Sequence, residues 1–193
     1  MKTKILSMAL CLGLIFTTQA QDNSRESSVG LKGGYNLASV TFDGEEETGQ
    51  RHGFHIGLYG ESFISNNFSI QPELQYSQQG YELEGDGGTF TQKLNYINLP
   101  LMFKGYLTDG FFIEAGPQIG LAISHKEEFE GTLFDSTAEF DPNNFDFGAN
   151  FGAGIKTNSG VNIGARYHLG LGDIYEENNP RNRVLQFYVG FDF

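Results

Sequence analysis

The chain has 193 residues, 24 Asp and Glu against 12 Lys and Arg, 26 glycines and one cysteine. A formal net charge of −12 excludes a phosphate-neutralising nucleic-acid binder. A mean hydropathy of −0.31 with 19% charged residues excludes both a bundle of apolar spanning helices and a charged disordered polymer.

Residues 1–20 read as a signal peptide. Lys2 and Lys4 precede an apolar stretch, Ile5 to Phe16, and Thr18-Gln19-Ala20 supplies small residues for cleavage. Cys11 lies inside that stretch, followed by Leu12 to Phe16 rather than a polar mature sequence, so a lipid anchor is not expected. The mature chain would start at Gln21 without cysteine, hence without disulfide or thiolate chemistry, and with a net charge of −14 once the two lysines are removed. Residues 21–27 form a short N-terminal segment, and residues 28–193 form the body of the protein.

The body alternates with period two. Phe187-Tyr188-Val189-Gly190-Phe191-Asp192-Phe193 places apolar residues at odd positions. The same pattern runs through Phe111, Ile113, Ala115, Pro117, Ile119, Leu121 and Ile123, through Phe145 to Ile155, and through Val161 to Leu171. Successive strand side chains face opposite sides, so each run is one apolar face backed by a small or polar one. Eight strands follow, near 28–40, 52–64, 68–81, 92–107, 111–125, 144–157, 161–172 and 184–193.

Short and long links alternate. Ser65-Asn66-Asn67, Thr108-Asp109-Gly110 and Asn158-Ser159-Gly160 read as three-residue hairpin turns ending in Asn or Gly. The links near 41–51, 82–91, 126–143 and 173–183 are longer and polar. They carry 16 of the 24 acidic residues and four basic ones. A soluble barrel also alternates, but its water-facing side would carry many charges. Here that side holds Gly148, Asn150, Gly152, Gly154, Asn162, Gly164, Gly170, Gln186 and Gly190, while the strand centres of the apolar face hold no charge. Lipid contact accounts for this, because a charge at the bilayer midplane costs a barrel roughly 2–4 kcal/mol. The fold class is therefore all-β: an eight-stranded antiparallel up-and-down transmembrane β-barrel, with short periplasmic turns and longer external loops. Its location is the outer membrane.

The run Asn95-Tyr96-Ile97-Asn98-Leu99-Pro100-Leu101-Met102-Phe103-Lys104-Gly105-Tyr106, then Phe112-Ile113-Glu114-Ala115-Gly116-Pro117, resembles the central hairpin of the PorT-like outer-membrane β-barrel family. Gly30-Leu31-Lys32-Gly33-Gly34-Tyr35-Asn36-Leu37 resembles that family's first strand, and Phe193 is similar to the terminal aromatic read by the barrel-insertion machinery. The resemblance implies an eight-stranded outer-membrane barrel. It implies no catalytic residue and no ligand.

Even-sum pairing about Thr108-Asp109-Gly110 sets Leu107 opposite Phe111 and Lys104 opposite Glu114, both inward. Parity also turns Lys32, Glu61, Glu73, Asp146, Lys156, Arg166 and Asp192 inward. Lys32, Glu61, Glu73, Lys104, Glu114 and Arg166 are the expected lumen network. Its roles are a mutually neutralising plug or a selectivity constriction or proton path. Glu45, Glu46, Glu47, Glu127 and Glu128 are candidate contacts for divalent ions or glycolipid, although no calcium-loop spacing accompanies them. His55 and His168 are expected inward, His52 and His125 outward. Ser124 and His125 are strand neighbours facing opposite sides, so they form no dyad. No nucleophile elbow, phosphate loop or clustered metal motif is present. Expected partners are outer-membrane lipid, glycolipid and the insertion machinery, with no cofactor, no resident metal and no nucleic acid. Three functional readings result: a non-enzymatic envelope or surface-interaction barrel, a narrow passive channel for small solutes, and a barrel enzyme acting on lipid.

Overall fold

A computed structural model describes residues 25–41, 48–85, 88–131, 135–139, 145–172 and 181–193. The expected signal peptide and Glu45, Glu46 and Glu47 lie outside these residues. The described elements are β1 (Ser28–Thr41), β2 (Gly49–Ser65), β3 (Phe68–Gly85), β4 (Gly88–Tyr106), β5 (Phe111–Gly131), β6 (Asp135–Glu139), β7 (Phe145–Lys156), β8 (Val161–Gly170) and β9 (Arg181–Asp192).

Consecutive barrel strands pair antiparallel, β1 pairs with β9, and β4 pairs with β5, so the sheet closes on itself. Eight strands make the ring, as the alternation requires. The ninth, β6, lies within the 126–143 link, which the sequence predicts to be loop. It pairs Lys126–Glu130 of β5 with Asp135–Glu139, above the stretch where Phe111–Leu121 of β5 pairs with β7. The link expected at 82–91 is likewise strand, since β3 and β4 stay paired through Gly85 and Gly88. The aromatic and β-branched Tyr81, Phe90 and Thr91 suit a pleated surface, and the Tyr81 and Phe90 rings meet at 6.2 Å. Among the described residues, the wall β3–β4–β5 is therefore taller than the wall β7–β8–β9.

The turn rim follows the sequence reading with one change. Thr108-Asp109-Gly110 holds the even-sum register, and Lys104 stands opposite Glu114. Gly160 closes its turn at φ +81°, where a side chain would be strained. Between β2 and β3, however, Ser65 pairs with Phe68, leaving a two-residue turn of Asn66-Asn67. A register shift between Phe63 and Ser65 absorbs the difference, as a bulge does.

Val29, Leu31, Tyr35, Phe54, Ile56, Leu58, Phe147, Phe151, Ile155, Phe187, Val189 and Phe191 all point outward and are exposed. A monomer in water does not sustain an apolar belt of that extent. Inward positions are polar and buried, including Lys32, Glu73, Lys104, Glu114 and Arg166. Backbones crowd where the lumen is tight: a Cβ at Gly34 would stand 1.9 Å from the Phe187 carbonyl oxygen, and one at Gly116 equally near that of Leu101.

Candidate functional site: the lumen network

The period-two pattern turns one residue in two inward, and closure brings those residues within reach across the ring. In the middle layer Arg166 of β8 donates from Nη1 and Nη2 to Glu73 of β3 at 2.9 and 2.8 Å, and from Nε and Nη2 to Glu114 of β5 at 2.8 and 3.0 Å. Lys32 Nζ of β1 donates to Glu73 at 2.8 Å. Tyr188 donates to Glu114 at 3.2 Å and Gln71 to Glu73 at 2.7 Å. Two bases and two carboxylates thus neutralise each other with fork-like guanidinium geometry, the arrangement that makes buried charge tolerable.

Nearer the turn rim, Lys156 bridges Glu61 and Asp192 at 2.7 Å each. Ser69 and Tyr106 donate to Glu61 at 2.6 and 2.7 Å, and Asn162 donates to Asp192 at 3.0 Å.

All six expected network residues are buried in the lumen, but one pairing differs from the expectation. Lys104 and Glu114 are register partners, yet the Lys104 ammonium reaches Glu61 at 3.8 Å and lies 4.3 Å from the centre of the Phe112 ring. Arg166 occupies the oxygens of Glu114 instead. Cα register says which residues are level; the long lysine stem decides which layer its charge joins.

A second correction concerns His125. Between Asn95 and Tyr96 of β4 the register with β5 shifts, because Asn95 faces Ser124 while Tyr96 faces Ala122. Ile123 is the extra residue, and beyond it the inward parity of β5 reverses. His125 is therefore buried rather than outward, with Gln92 Nε2 at 3.2 Å and Glu127 Oε1 at 3.5 Å. His52 faces out and meets the Tyr35 hydroxyl, while His55 and His168 face inward. Of the described acidic candidates, Glu128 pairs with Lys93, whereas Glu127 shares the inward face of His125 and accepts from the buried Gln92 at 3.3 Å. Both are on β5 itself rather than in a loop.

Several participants were not singled out from sequence. Tyr59, Tyr106 and Tyr188 share the parity of the inward charges, which was the available signal. Arg25 had none: it lies before β1, stacks over Tyr106 at 4.6 Å and donates to the Asp109 carbonyl at 3.1 Å. It borders a cleft of about 660 Å³ at the turn rim, lined also by Phe63, Lys156, Asp192 and Phe193. Toward the external end Val40, Tyr81, Leu94, Tyr96 and Ala122 form an inward apolar cluster. Among the described residues, no group of three or more His, Cys, Asp or Glu is placed to hold a metal ion.

A closed antiparallel ring with an apolar outer belt and a buried ionic interior defines a transmembrane β-barrel of the outer membrane. Residues 19–176 match the family model described as the outer membrane protein beta-barrel domain, and the chain belongs to that family. Among solved structures it is similar to Ail, the attachment invasion locus protein of Yersinia pestis, at 15% identity and TM-score 0.52, with 88% of this chain and 100% of Ail covered. Ail in complex with the heparin analogue sucrose octasulfate gives 16% identity with the same score and coverage. Neisserial surface protein A is similar at 14% identity and TM-score 0.55, again with 88% and 100% covered. These likenesses concern the fold. No curated protein matches the chain.

Proposed function

We propose that this protein is a non-enzymatic barrel whose lumen is closed by its own side chains and whose role is exerted at the external face. The observation that carries the reading is Arg166, which spans the lumen from β8 to β3 and β5 through four charge-assisted hydrogen bonds. An eight-stranded interior is just wide enough to be filled in this way. The external links concentrate negative charge, which fits partners reached through divalent ions, as in anionic glycolipid, or a cationic surface. A polyanion of the kind bound to Ail would be repelled. The central hairpin from Asn95 to Pro117 supports a PorT-like branch of the family.

The experiment is conductance. Purified protein inserted in planar bilayers is expected to be silent. Stable ohmic steps would overturn closure and favour the second reading, a narrow passive channel. That reading draws support from buried polar atoms without partners above the ionic layer, among them Gln75 Nε2, Gln79 Oε1 and Gln186 Oε1.

A further inference from the structure

The outer face of β9 changes character along the strand. Asn182, Val184, Gln186 and Tyr188 are buried and face the lumen, so the odd positions face out. Phe191, Val189 and Phe187 are exposed apolar side chains of the lipid belt, and Leu185 continues that row. The next two outward positions are Arg183 and Arg181, both half-buried.

Strand geometry places this change at the external edge of the membrane. Arg183 lies ten positions before Phe193, which stands at the turn rim. At about 3.3 Å per residue and a tilt of about 40°, that length rises about 25 Å along the membrane normal, the height of the apolar band of a barrel. The neighbouring strands mark the same level. Tyr35 of β1 lies opposite Phe187, and Tyr167 of β8 opposite Leu185. Both tyrosines are exposed on the outer face, as in the aromatic girdle of a membrane interface. Arg183, one outward step beyond Leu185, therefore stands at headgroup depth.

The hydrogen bonds of Arg183 go to the backbone. Its Nη1 donates to the carbonyl oxygens of Gly170 at 3.0 Å and Asn182 at 3.3 Å. Those carbonyls carry no net charge, and among the described residues Arg183 enters no ion pair. Lys93, outward on β4, is by contrast paired with Glu128. Because both bonds of Arg183 use Nη1, they anchor the guanidinium at the end of β8 and leave its Nε–Nη2 edge, the fork that grips two oxygens of one phosphate. We propose that Arg183, with Arg181 one outward step above it, directly binds a phosphate of the anionic glycolipid in the outer leaflet, from the lipid side of the barrel.

A lipid phosphate is the anion that fits. The arginines open sideways to the bilayer, and the apolar wall of Leu185, Phe187, Tyr35 and Tyr167 lies directly beneath them, where acyl chains run. A soluble polyanion would instead approach through the acidic external links and be repelled. The contact needs no divalent ion, which separates it from the ion-bridged contacts of those links. It rests on the membrane placement of the barrel and holds whether or not the lumen conducts.

The test uses the full mature barrel refolded in detergent micelles with EDTA present. Native mass spectrometry reads its binding of bisphosphorylated lipid A and of the same lipid stripped of both phosphates. The wild-type protein should prefer the phosphorylated form. Arg183→Gln should weaken that binding by about tenfold or more, the loss expected for hydrogen bonds to a charged group. Arg183→Lys, which keeps the charge but loses the fork, should fall between, and Lys93→Gln should leave binding unchanged. Heat-modifiable gel mobility verifies that each variant is folded. If the variants fail to fold, the Nε–H resonance of Arg183 in the wild-type protein decides, because the phosphorylated lipid should shift it and the stripped lipid should not. Three results would each overturn the assignment: equal binding of both lipids by the wild-type protein, wild-type binding by the double variant Arg181→Gln/Arg183→Gln, or binding that appears only when Ca²⁺ replaces EDTA, which would return the contact to the acidic links. None of them bears on conductance, so failure here is distinct from failure of the closed-lumen reading.

Discussion

Arg166→Met is the most informative perturbation of the lumen. The middle layer is balanced, with Lys32 and Arg166 against Glu73 and Glu114. The substitution removes one positive charge and four hydrogen bonds, and leaves Glu114 with Tyr188 as its close polar contact in that layer. Breaking a buried pair by deleting one member costs about 3–5 kcal/mol, so a loss in that range is expected. Adding Glu114→Gln restores neutrality, since Lys32 and Glu73 remain paired at 2.8 Å, and most of the loss should return. Urea unfolding in lipid vesicles, followed by tyrosine fluorescence and gel mobility, completes the double-mutant cycle. Lys104 with Glu114 is the matched comparison: level in register but committed to different partners, this pair should couple far more weakly. Coupling near zero for Arg166 with Glu114, or stronger coupling for Lys104 with Glu114, would refute the layer assignment.

Two further outcomes test the walls. Gly34→Ala forces a methyl group onto the backbone of β9, where a Cβ meets Phe187 O at 1.9 Å, whereas the nearest atom at Gly33 is 3.4 Å away; the first should lose folded, heat-modifiable protein by overpacking and the second should not. Ile56→Arg places a charge between exposed Phe54 and Leu58 on the lipid face and should cost about 2–4 kcal/mol, measured by urea unfolding in vesicles; a neutral result would mean this face does not meet lipid.

Much was legible in the sequence because strand geometry is local. Alternation through Phe187–Phe193 and Phe111–Ile123 assigns every side chain to a face without knowledge of its neighbours. The Thr108-Asp109-Gly110 turn then carries one register across to β4, which is why Lys104 stands opposite Glu114 as expected. Lipid also enforces the rule from outside, since a misplaced charge there has no water to meet. Other features depend on closure or on single irregularities. One extra residue at Ile123 reverses parity and takes His125 inside; nothing in the local composition marks it. β6 exists because β5 outlasts β7 and offers a free edge. Arg166 meets Glu73 and Glu114 only because ring closure sets β8 across from β3 and β5. There the choice between Glu61 and Glu114 for Lys104 is made by side-chain reach and competition among charges, quantities that exist only once the whole lumen is assembled.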